Sequence, residues 1–355
     1  MSEPAAVRTV RHVVVRPPNW LGDAIMALPA IAAVRRHFAA DHLTIAAVPA
    51  VAEIFREETD AAPDRVINLS SESRLAIATL EGEGFDLGIL FPNSFRSAWQ
   101  LWRAGVTERW GIARSARGML LTRRSAPGPR PPGVRHQSDY YRALVTGLGI
   151  ECPVDTMPRL APRMPSAERA AALLLQRGVL PDTQLVGLAP GAAYGTAKQW
   201  LPERVAELAA RLVQQRRATC VLVGASHDRD ASRAVESWLR AHAPDAMRGV
   251  VNLTGHTSLG ALVGVVARMA TFVSNDSGAM HLAAAIGRPV VAVFGPTDER
   301  ATRPLGDQIV LTAPVFCRPC LLRECPIDHR CMKRITVDEV YEAVLTRLAM
   351  AAGPA

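Results

Sequence analysis

"TFVSNDSGAMHLAAAIGRPVVAVFGPT", residues 271–297, sets two apolar, β-branched runs either side of an Ala-rich stretch. The runs "TFVS" (271–274) and "PVVAVF" (289–294) read as buried strands, and Gly-Arg-Pro punctuates the return from helix to strand. A strand, turn, helix and strand in that order predict parallel pairing with a helical crossover. The polar turn is the informative part. Asp276, Ser277 and Gly278 fall where the helix begins, so its free N–H groups and positive dipole end suit phosphate oxygens. Asp and Ser are equally at home as helix N-caps, and that alternative stands beside the first. His281, on the first turn, reads as structural when taken alone.

The same alternation extends outward in both directions. Strands are expected at 184–189, 218–224 and 249–253 in the second half, and at 11–16, 42–48, 64–68, 85–91 and 107–111 in the first. The class is therefore α/β. Four prolines in residues 152–168 disfavour helix and central strand and suggest a connector, with a boundary near residue 160. Two Rossmann-like domains follow, 1–160 and 161–355, with ligands expected at the carboxyl ends of strands and in a cleft between the domains. The last helix can pack within its own half or return to the first. No repeat with a period of 20–50 residues is present.

A second turn, "PGAAYGTAK" (190–198), follows the first strand of the second half. Gly191 and Gly195 allow close backbone approach, and Lys198 adds a point charge. Two anion-suited turns in one sheet point to a shared diphosphate ligand. In the first half, "RPPNWLGDAIMALPAI" (16–31) puts Gly22 and Asp23 where strand 11–16 gives way to helix. A carboxylate there is either a helix-start residue or a base placed to take a proton from an attacking hydroxyl. Pro29 falls inside that helix and is expected to kink it.

Composition bounds the function. The chain has 355 residues, 49% hydrophobic, enough for two cores. No apolar run approaches the roughly 18–20 residues that cross a bilayer, and the N-terminus does not resemble a signal peptide, so the cytoplasm is the expected compartment. The net charge is +8, and from Arg109 to Ser138, both included, there are seven arginines and no Asp or Glu. That stretch is either a solvated loop or a docking surface for an anionic partner, with Arg117, Arg123 and Arg124 as its candidates.

Four segments together resemble the bacterial ADP-heptose:lipopolysaccharide heptosyltransferases of glycosyltransferase family 9: "NWLGDAIMALPA", "PNSFRSAW" (92–99), "PGAAYGTAKQWLPERVAELAARL" and "SNDSGAMHLAAAIGRPVVAVFGPT". The second and third look most like the type II members, and the resemblance runs from about residue 11 to 345. It implies a GT-B fold with two Rossmann-like domains and an inverting displacement that needs no cofactor. Carried over by position, Asp23 matches the general base and Lys198 the lysine on the donor phosphates. Asp276, Ser277, Gly278 and His281 match the donor-binding helix start, Gly191 lies in the donor loop, and Asp228 aligns with a ribose-binding position. The implied partners are ADP-heptose and a lipid A–Kdo–heptose acceptor, met at the inner face of the inner membrane by a peripheral enzyme.

Three rivals remain: a heptosyltransferase of type I or III acceptor specificity, a GT-B sugar-nucleotide epimerase, and a basic nucleic-acid-binding protein. No zinc-finger spacing or aromatic-studded basic strand supports the last, so no nucleic-acid partner is expected. The resemblance is silent on "CRPCLLRECPIDHRC" (317–331). Cys317, Cys320, Cys325 and Cys331 could hold a structural metal, with His329 as a substitute ligand, form disulfides, or stay free. Their distance in sequence from both donor turns suggests a stapling role and no part in transfer.

Overall fold

The computed structural model describes residues 11–114, 116–125 and 136–351, which form two compact units. One takes the described residues up to 125 together with Ser138–Thr156. The other takes residues 136, 137 and those from Met157 onward.

The first unit is built on a six-stranded sheet: β1 (His12–Arg16), β2 (His42–Ala47), β3 (Arg65–Asn68), β4 (Leu87–Leu90), β5 (Glu108–Ile112) and β6 (Arg123–Ser125). Its order is β3-β2-β1-β4-β5-β6 and every pair is parallel. Val13, Val14 and Val15 on the central strand are fully buried, each contributing roughly 2 kcal/mol of apolar burial. Sheet faces are covered by helices Leu28–His37, Ser73–Glu81 and Phe95–Arg103, the last capped by the Ser94 side chain on the Ser97 N–H. The predicted kink at Pro29 is a break. Helix Leu21–Met26 ends, and Leu28–His37 begins with Pro29 in its first turn, where a missing N–H costs nothing.

The second unit repeats the plan with β7 (Leu185–Ala189), β8 (Thr219–Leu222), β9 (Val250–Asn252), β10 (Thr271–Asn275), β11 (Val290–Phe294) and β12 (Gln308–Thr312). Its order, β9-β8-β7-β10-β11-β12, is the same, again all parallel. Both are the doubly wound order whose switch points, β1/β4 and β7/β10, leave a crevice at the strands' carboxyl ends. The final helix, Val337–Ala351, packs on helix Pro202–Arg216 and on β10, β11 and β12, within its own half. Its Val340 and Val344 share a core with Val186, Leu188, Cys220, Leu222 and Trp200.

Two edge strands, β6 and β12, are absent from the sequence expectation. β6 is three residues with two exposed arginines, and β12 has no fully buried position, so neither shows an apolar run. The proline-rich connector is shorter than expected because helix Met164–Gln176 starts inside it, with Pro165 in its first turn.

Candidate active site

At the second switch point, the two anion-suited turns meet. The chain leaves β7 into the 190–198 loop, and Asn275 at the end of β10 ties that loop down. Its Nδ2 donates to the carbonyls of Pro190 (2.8 Å) and Gly191 (3.1 Å), while its Oδ1 accepts the Trp200 N–H (2.9 Å). Trp200 is fully buried and its indole donates to the Ile335 carbonyl, which anchors the far end of the loop. Lys198, on the short turn Thr196–Lys198, then reaches Asp276, with Nζ 2.6 Å from Oδ2. Thr297 donates to the same oxygen at 2.7 Å, and Thr302 reaches Oδ1 at 3.4 Å. Asp276 is 5% exposed, so this is a nearly buried ion pair with hydroxyl support.

This arrangement decides the capping question. Ser277 is the N-cap residue of helix Gly278–Ala285 but makes no side-chain capping bond; its hydroxyl pairs with Ser274 Oγ at 3.0 Å. Asp276 is committed to Lys198 and Thr297. The helix start therefore offers N–H groups and dipole beside a lysine, the makings of an anion site. Burial pushes the His281 imidazole down to about 4, against the upward pull of Asp276, so it is neutral at pH 7 and adds no charge.

Gly191 and Asp228 also come together. A Cβ on Gly191 would fall 2.0 Å from Asp228 Oδ1, so only glycine fits against this carboxylate. Asp228 Oδ2 accepts the Ala225 N–H at 2.9 Å, which closes its turn after β8. A cavity of about 490 Å³ opens nearby, lined by Arg177, Arg229, Arg233, Asn252, Thr254 and His256 among others; Lys198 and Asp276 are not part of it.

At the first switch point Asp23 sits in the first turn of helix Leu21–Met26, whose N-cap is Trp20. Tyr141, on helix Gln137–Thr146, donates its hydroxyl to Asp23 Oδ1 at 2.8 Å. Its neighbour Tyr140 accepts from Asn93 Nδ2 in the loop after β4. Tyr141 thus orients a half-buried carboxylate, and Tyr140 beside it is joined to the loop after β4.

Three expectations are corrected. Arg117 is not a docking residue: it is 0% exposed, donating to the carbonyls of Ile112 and Pro92 and to Asn93 Oδ1, and burial lowers its pKa. Only Arg123 and Arg124 of the three are exposed, the former stacked on Trp110 at 4.5 Å. The Pro-Gly part of the basic stretch, 126–135, lies outside the described residues.

The cysteines are all free thiols, and among the described residues no three His, Cys, Asp or Glu side chains are gathered to hold a metal. His329 is occupied elsewhere, its Nε2 2.7 Å from the Ala197 carbonyl. The cysteine segment is also not remote from the site. Tyr194 Oη donates to the Leu321 carbonyl, and Ala197 N–H donates to that of Arg323. Two cations approach the Tyr194 ring, Lys198 Nζ at 4.7 Å and the Arg323 guanidinium at 5.2 Å from its centre. Sequence reading missed Asn275, Thr297 and Tyr141, and it set this segment apart from the donor turns. The first two stand inside the quoted 271–297 stretch as polar residues at strand ends, a signal that was available; Tyr141 has no local signal.

Comparison with known proteins bears on this geometry. The profile of glycosyltransferase family 9 (heptosyltransferase) matches residues 74–330. The chain belongs to this family. Among similar family 9 proteins are lipooligosaccharide heptosyltransferase 2 of Haemophilus influenzae, 32% identical over 235 residues, and lipopolysaccharide heptosyltransferase 2 of Escherichia coli, 32% over 231. The matched stretch covers 64% of this chain in both, and 66% and 64% of those proteins, slightly under two thirds. The Haemophilus ducreyi counterpart is 28% identical over 306 residues, 83% of this chain and 86% of its own. The solved E. coli ADP-heptose lipopolysaccharide heptosyltransferase II has a TM-score of 0.81 at 24% identity, over 96% of this chain and all of that one. These likenesses make the fold GT-B and the family 9 chain a glycosyltransferase.

Proposed function

We propose that this chain moves a heptose from ADP-heptose onto the heptose/Kdo inner core of lipopolysaccharide, as an inverting transferase of the heptosyltransferase II type. The observation that carries the reading is the Lys198–Asp276 pair at the open start of helix Gly278–Ala285. The names of the 32%-identical relatives supply the substrate class.

As the glycosidic C–O bond breaks, negative charge grows on the ADP oxygens and the sugar becomes oxocarbenium-like. Lys198 and the helix N–H groups stabilise that charge more in the transition state than in the ground state, without a catalytic cofactor. Oδ2 of Asp276 is engaged by Lys198 and Thr297, whereas Oδ1 has Thr302 only at 3.4 Å. That leaves Oδ1 to accept a donor-sugar hydroxyl. Gly191 gives the diphosphate backbone room, Asp228 takes the ribose, and Ser277, Gly278 and His281 line the cradle. Asp23, oriented by Tyr141, removes the proton of the acceptor hydroxyl as it attacks.

In this reading residues 161–355 bind donor and residues 1–160 bind acceptor. Arg123 and Arg124 meet the anionic acceptor lipid at the cytoplasmic face of the inner membrane. Among the described residues no helix is long and apolar enough to cross a membrane.

The test is an ADP-release assay with ADP-heptose and Kdo-bearing acceptors carrying zero, one or two heptoses. Release confined to the one-heptose acceptor is expected. Release with the zero- or two-heptose acceptor would instead assign a type I or III specificity, and interconversion of the free nucleotide sugar without acceptor would make the chain an epimerase.

A further inference from the structure

The cysteine-bearing segment, residues 314–331, is fastened to both loops that frame the candidate diphosphate site. On one side Arg318, 13% exposed, grips the loop after β11 with three bonds. Nε donates to the Gly295 carbonyl (2.6 Å), and Nη2 to the Thr297 carbonyl (2.9 Å) and Glu299 Oε2 (2.6 Å). The Leu321 N–H adds a bond to the Pro296 carbonyl. On the other side, Leu321, Arg323 and His329 hold Tyr194 and both backbone groups of Ala197, next to Lys198. The contact with the lysine loop is close: a Cβ on Gly195 would fall 2.3 Å from the Arg323 carbonyl oxygen.

These contacts form a chain that ends on the charged pair. Arg318 fixes Thr297, Thr297 fixes the Asp276 carboxylate, and Asp276 fixes Lys198. We infer that Arg318 is a positioning residue for the donor diphosphate, acting through Thr297 and Asp276 on Lys198, with the 314–331 segment as the strap that holds both donor loops in register. The inference rests on the donor assignment proposed above and reverses the expectation that the segment has no part in transfer. Its physical basis is preorganisation. Lys198 stabilises the leaving group only if held near the diphosphate before the charge develops, and a guanidinium fork with three fixed acceptors holds better than a lysine, which presents a point charge.

The test is calorimetric titration with ADP and steady-state kinetics on wild type, Arg318→Gln, Arg318→Lys, Thr297→Val and the Arg318→Gln/Thr297→Val double variant. Expected is an increase of about tenfold in the ADP Kd for Arg318→Gln, the scale of lost charge-assisted bonds, with kcat lowered and the acceptor KM unchanged. Arg318→Lys should fall with Arg318→Gln, because charge alone does not restore the fork. In the Thr297→Val background, Arg318→Gln should cost much less than in wild type, the signature of one shared chain. Wild-type affinity in Arg318→Gln, full rescue by Arg318→Lys, or additive effects in the double variant would each overturn the inference. If Arg318→Gln does not fold, Thr297→Val decides: unchanged ADP affinity breaks the chain at its middle link. A wild-type protein that does not bind ADP overturns the donor assignment itself, whereas wild-type binding with unaffected variants overturns only the role of Arg318.

Discussion

In the first turn of the helix after β1 a carboxylate, Asp23, accepts from a phenol; just past the end of β10 another, Asp276, accepts from an ammonium and a hydroxyl. The two sheets have the same strand order and the two acids stand past strands at corresponding switch points. What differs is the company. The Asp276 carboxylate braces the Lys198 ammonium in a nearly buried ion pair. The Asp23 carboxylate is oriented by the Tyr141 hydroxyl on Oδ1, the placement that the general-base reading uses. Each switch point also has its own fastener: buried Arg117 ties the loop after β4, and buried Asn275 ties the loop after β7.

The sharpest way to break the comparison is Asp23→Asn. We expect turnover to fall by about two to four orders of magnitude, the scale of a lost general base, with ADP affinity unchanged by calorimetry. Loss of ADP binding instead would mean that both acids serve the donor. Next in size is Arg117→Leu, which leaves buried carbonyls of Pro92 and Ile112 without their donor. A loss of about 3 kcal/mol is expected, near two orders of magnitude in the folding equilibrium, read as a lower urea midpoint. An unchanged midpoint would return Arg117 to the surface role first expected of it.

Lys198→Ala removes the cation and leaves Asp276 buried beside the diphosphate site. ADP affinity should drop by about thirtyfold, some 2 kcal/mol, and transfer should slow further than binding accounts for. An unaltered Kd would place the diphosphate elsewhere. The smallest effect should come from Arg123→Gln with Arg124→Gln: a rise of about threefold in the acceptor KM, reduced salt dependence of vesicle binding, and no change with ADP. Identical salt dependence before and after would leave both arginines as solvated edge residues.

The sequence shows the central strands plainly because strands buried on both faces are continuous apolar runs. It hides β6 and β12, since an edge strand needs few buried positions. Within the site, Lys198 and Asp276 are legible because each lies in a turn after a buried apolar strand, where backbone chemistry is local. Tyr141 is not, because its hydroxyl matters only through a partner 118 positions away. Arg117 misleads for a related reason. A run of arginines looks like one charged face, but burial alternates inside it, and carbonyls that no pattern announces take up the buried guanidinium.

Gly195 has a consequence for anyone recombining this chain with a relative. Its φ of +155° and the Arg323 carbonyl pressed against it leave no space for a side chain, so the loop and the segment across from it are two halves of one fitting. A transplant of residues 314–331 alone into another framework, or of residues 190–198 alone, separates halves shaped to each other. Only an exchange that carries both pieces should yield a hybrid that keeps its grip on nucleotide.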